Sequence, residues 1–214
     1  MKPLKGIVFD CDGVLFESRN ANLAYYNAVL AHFGAPPVLP DETARAHLCH
    51  TAASPQVFAV LLGEERVAEA LAVAAAIDYR RFIPEMQPEP FMVEVVAALA
   101  ERYPLAIATN RGVSMIEILE HFALVSYFTT VVTSRDVSRP KPFPDMLHLA
   151  ARQLGLAEAE LLFIGDSELD QAAANGAGMR FVAYRNHTIG GNAVDGHRQL
   201  LAMIEGVQGG AEVS

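Results

Sequence analysis

The stretch KGIVFDCDG, residues 5–13, decides the fold. Lys5–Phe9 is a short, nearly uninterrupted apolar run, as expected of a strand covered on both faces. It ends on two acidic residues, Asp10 and Asp12. Side chains alternate along a strand, so these two share one side and Cys11 takes the other. Gly13 allows a sharp turn directly after them. Two carboxylates this close repel each other, and a cation or a shared proton relieves the repulsion.

Working outward, a helical pattern runs from Ser18 to His32 and stops at Gly34, Pro36 and Pro37. Residues 40–83 read as helical in three pieces, Asp41–His50, Pro55–Leu62 and Glu64–Phe82, with no strand among them. Pro84, Pro88 and Pro90 then break the chain. Beyond them the pattern changes to alternation. Helices are expected at Phe91–Arg102, Val113–Phe122, Pro144–Leu154 and Glu168–Ala174, and strands at Leu105–Ala108, Thr130–Thr133, Leu161–Ile164 and Arg180–Tyr184. Such alternation argues for an α/β fold, a Rossmann-like parallel sheet with right-handed crossovers. The first strand joins that sheet, so residues 15–88 read as an all-helical insertion after it. The expected division is a core of residues 1–14 and 89–214 and a helical cap of residues 15–88. Residues 209–214 read as a frayed tail.

The chain has 214 residues, of which 52% are hydrophobic and 19% charged, which excludes disorder. Its net charge of −9 leaves no general nucleic-acid footprint and no basic excess for an anionic membrane. Two cysteines, Cys11 and Cys49, make neither a disulfide framework nor a zinc site by themselves. The apolar run before Asp10 is too short for a secretory signal, and Leu71–Ile77 is too short to span a membrane. The expectation is a cytoplasmic protein with no nucleic-acid or membrane partner, monomeric or homodimeric.

In open parallel sheets, ligands bind beyond the carboxyl ends of the strands. Three further strand ends carry polar clusters. Leu105–Ala108 runs into Thr109, Asn110, Arg111 and Gly112. A hydroxyl, an amide and free N–H groups at a helix start suit an anion, and they equally suit an ordinary N-cap. Next comes SRPKPFPD, residues 138–145, where prolines stiffen the backbone around Lys141, one of only three lysines in the chain. Finally LLFIGDSELD, residues 161–170, places Asp166 after a strand and Asp170 four residues later on the same helix face. Like charges at that spacing cost roughly 0.2–0.5 kcal/mol in an isolated helix. A hard cation reverses the sign, and oxygen-only ligands favour Mg²⁺. An acidic helix start serving its own dipole is the plainer alternative.

Together these clusters fit phosphoryl transfer. A carboxylate attacks a phosphate ester, a metal ion offsets the repulsion, donors hold the phosphoryl oxygens, and a second carboxyl group moves protons.

The motifs Asp10–Val14 (DCDGV), Thr109–Asn110, Lys141–Asp145 (KPFPD) and Gly165–Asp170 (GDSELD) resemble those of the haloacid dehalogenase superfamily, in its order and over essentially the whole chain. The likeness is to the phosphatases with a helical cap after the first motif, the phosphoglycolate phosphatase and β-phosphoglucomutase group. It implies Asp10 as nucleophile, Asp12 as general acid and base, and Thr109, Asn110 and Lys141 as holders of the phosphoryl group. It implies Mg²⁺ on the Asp10 carboxylate, the Asp12 main-chain carbonyl and Asp166, with Asp170 orienting Lys141 or a water on the metal. The implied reaction is hydrolysis of a small phosphorylated metabolite through an aspartyl phosphate.

The cap departs from the family pattern at His47–Thr51, where relatives often place Gly or a basic residue. His50 and Thr51 are the candidates there for contacting the leaving group. Glu17, where many relatives have Asp, reads as a cap for the first cap helix beside Ser18. The cap has no lysine, which removes a phosphonatase-type Schiff base. A phosphosugar mutase is the alternative reaction, weakened by the absence of Lys or Arg between His50 and Arg66. A non-catalytic binding protein on the same fold is the third reading, and the intact motifs argue against it.

Overall fold

The computed structural model describes residues 2–112 and 114–209. In chain order its elements are β1 (Gly6–Phe9), β2 (Phe16–Glu17), α1 (Arg19–His32), α2 (Thr43–Thr51), α3 (Ser54–Leu62), α4 (Val67–Ala76), β3 (Gln87–Pro88), α5 (Met92–Ala100) and β4 (Leu105–Thr109). There follow α6 (Ser114–His121), β5 (Thr130–Thr133), α7 (Asp145–Leu154), β6 (Leu161–Gly165), α8 (Glu168–Ala177), β7 (Arg180–Tyr184), β8 (Asn192–Val194) and α9 (His197–Gly209). Short 3-10 turns link several of them.

Six strands form one parallel sheet in the order β5-β4-β1-β6-β7-β8. Strand alternation divides its side chains between two cores. Ile7, Phe9, Leu105, Ile107, Leu162 and Ile164 pack on one face with α5, α6 and α9. Val8, Ala106, Ala108, Leu161 and Phe163 pack on the other with α7 and α8. Both faces are therefore dry, which is why these strands read as continuous apolar runs.

Helices α1 to α4 stand apart from the sheet around a third core. Leu23, Tyr26 and Leu30 of α1 meet Cys49 of α2, Val57 and Phe58 of α3, and Ala70 and Ala74 of α4. Their spacing is the stripe of an amphipathic helix. A mainly helical insertion after β1 is thus present, with one short strand at each of its ends. Where the chain leaves and rejoins the sheet domain, β2 and β3 pair antiparallel, Phe16 with Pro88 and Glu17 with Gln87.

Three differences from the sequence reading have physical causes. The helix expected over Glu64–Phe82 is divided, because Ile77 and Asp78 take extended conformations and short 3-10 turns follow at Tyr79–Arg81 and Ile83–Glu85. The β2–β3 pair is too short to leave a periodic signal. Strand β8 and helix α9 lie beyond the last expected strand; β8 is a three-residue edge after Gly190 and Gly191, and α9 anchors through buried Leu200 and Ile204. Val113, the expected start of one helix, lies outside the described residues, as do residues 210–214 of the expected tail.

Candidate active site

Strand β1 lies between β4 and β6, so the carboxyl ends of these three strands adjoin. They deliver Asp10, Thr109 and Asp166 to one place, where the loop carrying Lys141 also arrives. Asp10 and Asp12 both line a single cavity of about 550 Å³ between the sheet domain and the helical insertion, together with His50, Thr51, Thr109, Asn110 and Arg111. Cys11 points the other way, fully buried in the apolar core.

Lys141 is buried and is shared between two carboxylates. Its Nζ is 2.8 Å from Asp10 Oδ1 and 2.6 Å from Asp170 Oδ1. Burial opposes its charge, but the two carboxylates win and raise its pKa, so it stays an ammonium. Asp170 is fully committed. Its other oxygen accepts the Ser167 hydroxyl at 2.6 Å and the Ser167 N–H at 3.1 Å. On Asp10, Oδ1 also accepts the Cys11 N–H at 2.7 Å.

Asp10, Asp166 and Asp170 each offer an oxygen within 4.8 Å of the others. One lysine does not balance three carboxylates. Burial first, and then Asp170, push the pKa of Asp10 well up despite the adjoining Lys141. Burial likewise raises that of Asp166. The donor set is oxygen only and over-negative, which suits a hard divalent cation. Backbone closes in from behind. A Cβ on Gly13, whose φ is +74°, would lie 2.0 Å from Asp166 Oδ2. Only glycine lets the loop approach that carboxylate so closely.

Asp12 has a different environment. Its Oδ1 accepts from Arg111 Nη2 at 2.5 Å, from Asn22 Nδ2 at 3.2 Å and from the Ser18 hydroxyl. Burial works against its charge, but the Arg111 guanidinium outweighs it and holds the carboxyl below the usual range. Arg111 continues into the helical insertion, donating to the Tyr79 hydroxyl at 2.6 Å and to Asn22 Oδ1 at 2.7 Å. The guanidinium therefore ties the end of β4 to two residues of the insertion and to the second aspartate. Its Nε is buried with no hydrogen-bond partner.

Thr109 Oγ1 accepts the Arg111 N–H at 3.2 Å. Asn110 braces the floor: Oδ1 accepts the Lys141 N–H at 3.0 Å, while Nδ2 donates to the carbonyls of Lys141 and Thr51 at 3.1 and 2.9 Å. His50 reaches the acidic cluster, its Nε2 standing 3.8 Å from Asp166 Oδ2. Burial opposes its protonation, yet the carboxylates of Asp166 and Asp12 raise its pKa. Thr51 borders the cavity, but its hydroxyl donates back to the His47 carbonyl at 3.0 Å, so what it gives the site is its main-chain carbonyl. One turn before His50, His47 Nε2 lies 3.0 Å from Glu168 at the start of α8. Glu17 accepts the Arg19 N–H at 3.0 Å, while Ser18 turns to Asp12.

The sequence reading brought together Asp10, Asp12, Thr109, Asn110, Lys141, Asp166 and Asp170. It missed Arg111 as a partner of Asp12, and Asn22 and Tyr79 altogether. Arg111 stood beside Thr109 and Asn110 in an expected site loop, which was the one available signal.

Residues 7–184 match the family model described as haloacid dehalogenase-like hydrolase. The phosphoglycolate phosphatase of Shigella boydii is 28% identical over 220 residues, covering 90% of this chain and 85% of that protein. The crystal structure of a HAD-superfamily hydrolase, subfamily IA, from Geobacter sulfurreducens is 35% identical, with a TM-score of 0.81 over 94% of this chain and 99% of that one. β-Phosphoglucomutase from Clostridium difficile is 16% identical, with a TM-score of 0.79 over 99% of this chain and 100% of that one, and shows likeness of fold alone.

Proposed function

Because the chain belongs to the haloacid dehalogenase-like hydrolases, we propose that it hydrolyses a small phosphorylated metabolite with Mg²⁺, through a phosphoryl group carried on Asp10. The observation that supports this most is the buried cluster itself: Asp10, Asp166 and Asp170 crowd together with one lysine that pairs with two of them, and Asp10 opens with Asp12 onto one cavity. The division into a core of residues 1–14 and 89–214 and a cap of residues 15–88 belongs to the same proposal.

In this reading, Asp10 attacks phosphorus while the bond to the ester oxygen breaks. Asp12 gives that oxygen a proton, so the alcohol leaves neutral. The phosphoryl group stays on Asp10 as an acyl phosphate. Asp12, now a carboxylate again, takes a proton from water as the water attacks phosphorus. Inorganic phosphate and free Asp10 result. Asp12 is held ionised in the structure, and the approach of an anionic phosphate raises its proton affinity.

Lys141, Thr109 and the main-chain N–H of Asn110, whose side chain is engaged by Lys141 and Thr51, hold the phosphoryl oxygens. Asp10, Asp166 and the Asp12 main-chain carbonyl would hold Mg²⁺, which when bound offsets the repulsion between carboxylate and phosphate. Asp170 keeps Lys141 in place, since both its oxygens are already engaged. His50 and Thr51 stand at the leaving-group side. Glycolate 2-phosphate, the substrate named for the Shigella relative, and sugar phosphates are the first compounds to try. A mutase is not favoured, because among the described residues the cap side of the cavity carries no lysine or arginine to hold a second phosphate.

Phosphate release from a panel of phosphorylated metabolites tests the proposal. Release should require Mg²⁺ and fall to background in Asp10→Asn. Asp12→Asn should lose turnover while its Mg²⁺ requirement changes little. Turnover by Asp10→Asn at the wild-type rate would remove the aspartyl phosphate.

A further inference from the structure

The cavity above the carboxylates is large and has a two-sided chemistry. Its floor carries Asp10, Asp12 and Arg111. On its cap side, Tyr25, Tyr26, Tyr79, Leu71, Ala74, Ala75 and Ile77 form an apolar and aromatic stretch, and Ser54 and Gln56 lie elsewhere on that side. The tyrosine rings cluster edge to face, with Tyr25 5.2 Å from Tyr26 and 5.3 Å from Tyr79 between centroids. Two of the three hydroxyls are spoken for. Tyr26 is hydrogen-bonded to Ser54 at 3.2 Å, and Tyr79 to Arg111 and Asn22. What these residues leave for a ligand is ring surface and the Tyr25 hydroxyl.

Charge is scarce away from the floor. Among the described residues, the only lysine or arginine side chains lining the cavity are Arg111 and Arg135, both from the core. Both terminal nitrogens of Arg111 are occupied by Asp12, Asn22 and Tyr79. Arg135 is exposed. On the cap side itself, a second phosphate would meet no lysine or arginine among the described residues.

Size points the same way. A space of about 550 Å³ lies in the range that accommodates a drug-sized molecule. A phosphoryl group on a two-carbon alcohol would leave most of it to water.

We propose that the cap-side wall is a leaving-group subsite for an alcohol with a compact apolar body, an aromatic ring or a branched alkyl group, larger than glycolate. This rests on the phosphatase reading above and specifies its substrate class. The phosphate meets Lys141 and the floor, and the carbon skeleton lies against the tyrosines and the α4 side chains. Burying that skeleton against the wall raises kcat/KM through apolar contact, by about three- to fourfold for each methylene taken out of water.

The test uses the full-length protein with Mg²⁺ and alkyl phosphates whose alcohols have similar acidity: ethyl, butyl and 2-phenylethyl phosphate, with phosphoglycolate and glucose 6-phosphate alongside. The expected result is a rising kcat/KM along the alkyl series, with 2-phenylethyl phosphate at least about tenfold better than phosphoglycolate. Ala75, exposed near the end of α4 and bordering the cavity, is replaced by Glu to place a charge on the wall. Ala75→Glu should lower the ratio of 2-phenylethyl to ethyl phosphate kcat/KM at least about fivefold. A flat series, or phosphoglycolate or glucose 6-phosphate as the best substrate, overturns the subsite and leaves the phosphatase standing. An unchanged ratio in Ala75→Glu overturns the placement on this wall. Hydrolysis of none of these esters, nor of any in the wider panel, overturns the phosphatase reading itself.

Discussion

Replacing Arg111 by Met removes a charge from the centre of the site at nearly constant bulk. Arg111 and Asp12 are 9% and 7% exposed and 2.5 Å apart, so solvent does little to screen them. Removing one partner of a buried pair leaves the other charge stranded, at a cost of about 3–5 kcal/mol. In a chain of this size each kcal/mol lowers Tm by roughly 2–4 °C, so Arg111→Met should melt roughly 6–20 °C below wild type. Part of the loss comes from the links to Tyr79 and Asn22, and a double-mutant cycle separates it. Asp12→Asn in the Arg111→Met background removes the stranded charge, so the double variant should be more stable than Arg111→Met alone. The expected coupling is at least about 2 kcal/mol. Thermal and urea unfolding near neutral pH, without divalent cations, provide both quantities. A Tm for Arg111→Met within about 2 °C of wild type, or a double variant no more stable than that single one, would show that the guanidinium does not balance Asp12.

His197 and Gly13 provide two further checks. His197 is fully buried, donates from Nε2 to the Val14 carbonyl at 2.8 Å, and is pushed down by burial to a pKa of about 4. The unfolded chain therefore binds a proton that the fold refuses, so stability falls as pH drops from about 6.5 towards 4; at pH 5 the loss is about 2 kcal/mol. His197→Gln retains a donor and should flatten that part of the stability–pH curve, and parallel curves for the two proteins would exclude the effect. Gly13→Ala forces a side chain into a left-handed backbone and against Asp166. It should cost about 1–2 kcal/mol of stability and raise the Mg²⁺ needed for half-maximal activity roughly 10–100-fold. An unchanged Mg²⁺ activation curve would separate Gly13 from the cation.

The parts of this molecule legible in its sequence are those written in consecutive residues. Val8 and its neighbours announce a strand dry on both faces, and Asp10 and Asp12 follow directly. Asp166 and Asp170 declare their shared face by spacing alone. The partnership of Arg111 with Asp12 was not legible, because it joins positions 12, 22, 79 and 111, which meet only once the helical insertion has folded over the sheet. Asn110 shows a related limit. An N-cap and a phosphate ligand look alike in sequence, and neither suggests the brace it forms between the Lys141 backbone and the Thr51 carbonyl. Thr51 was legible as a residue beside the cavity, but not that its hydroxyl would be taken by its own helix.

The small β2–β3 pair also bears on how the chain finds its fold. Ile7 must pair with Leu105, almost a hundred residues away, before the centre of the sheet exists. Closing so long a loop in one step is slow, because its entropy is lost before distant contacts repay it. Pairing Phe16 with Pro88 brings the ends of the insertion together, so the helices between them need not be spanned a second time. What remains for β1 and β4 to close is residues 10–15 on one side and residues 89–104, with helix α5, on the other. The insertion thereby behaves, for the folding sheet, as a loop of a few residues, and variants that unpair Phe16 from Pro88 should slow refolding more than they hasten unfolding.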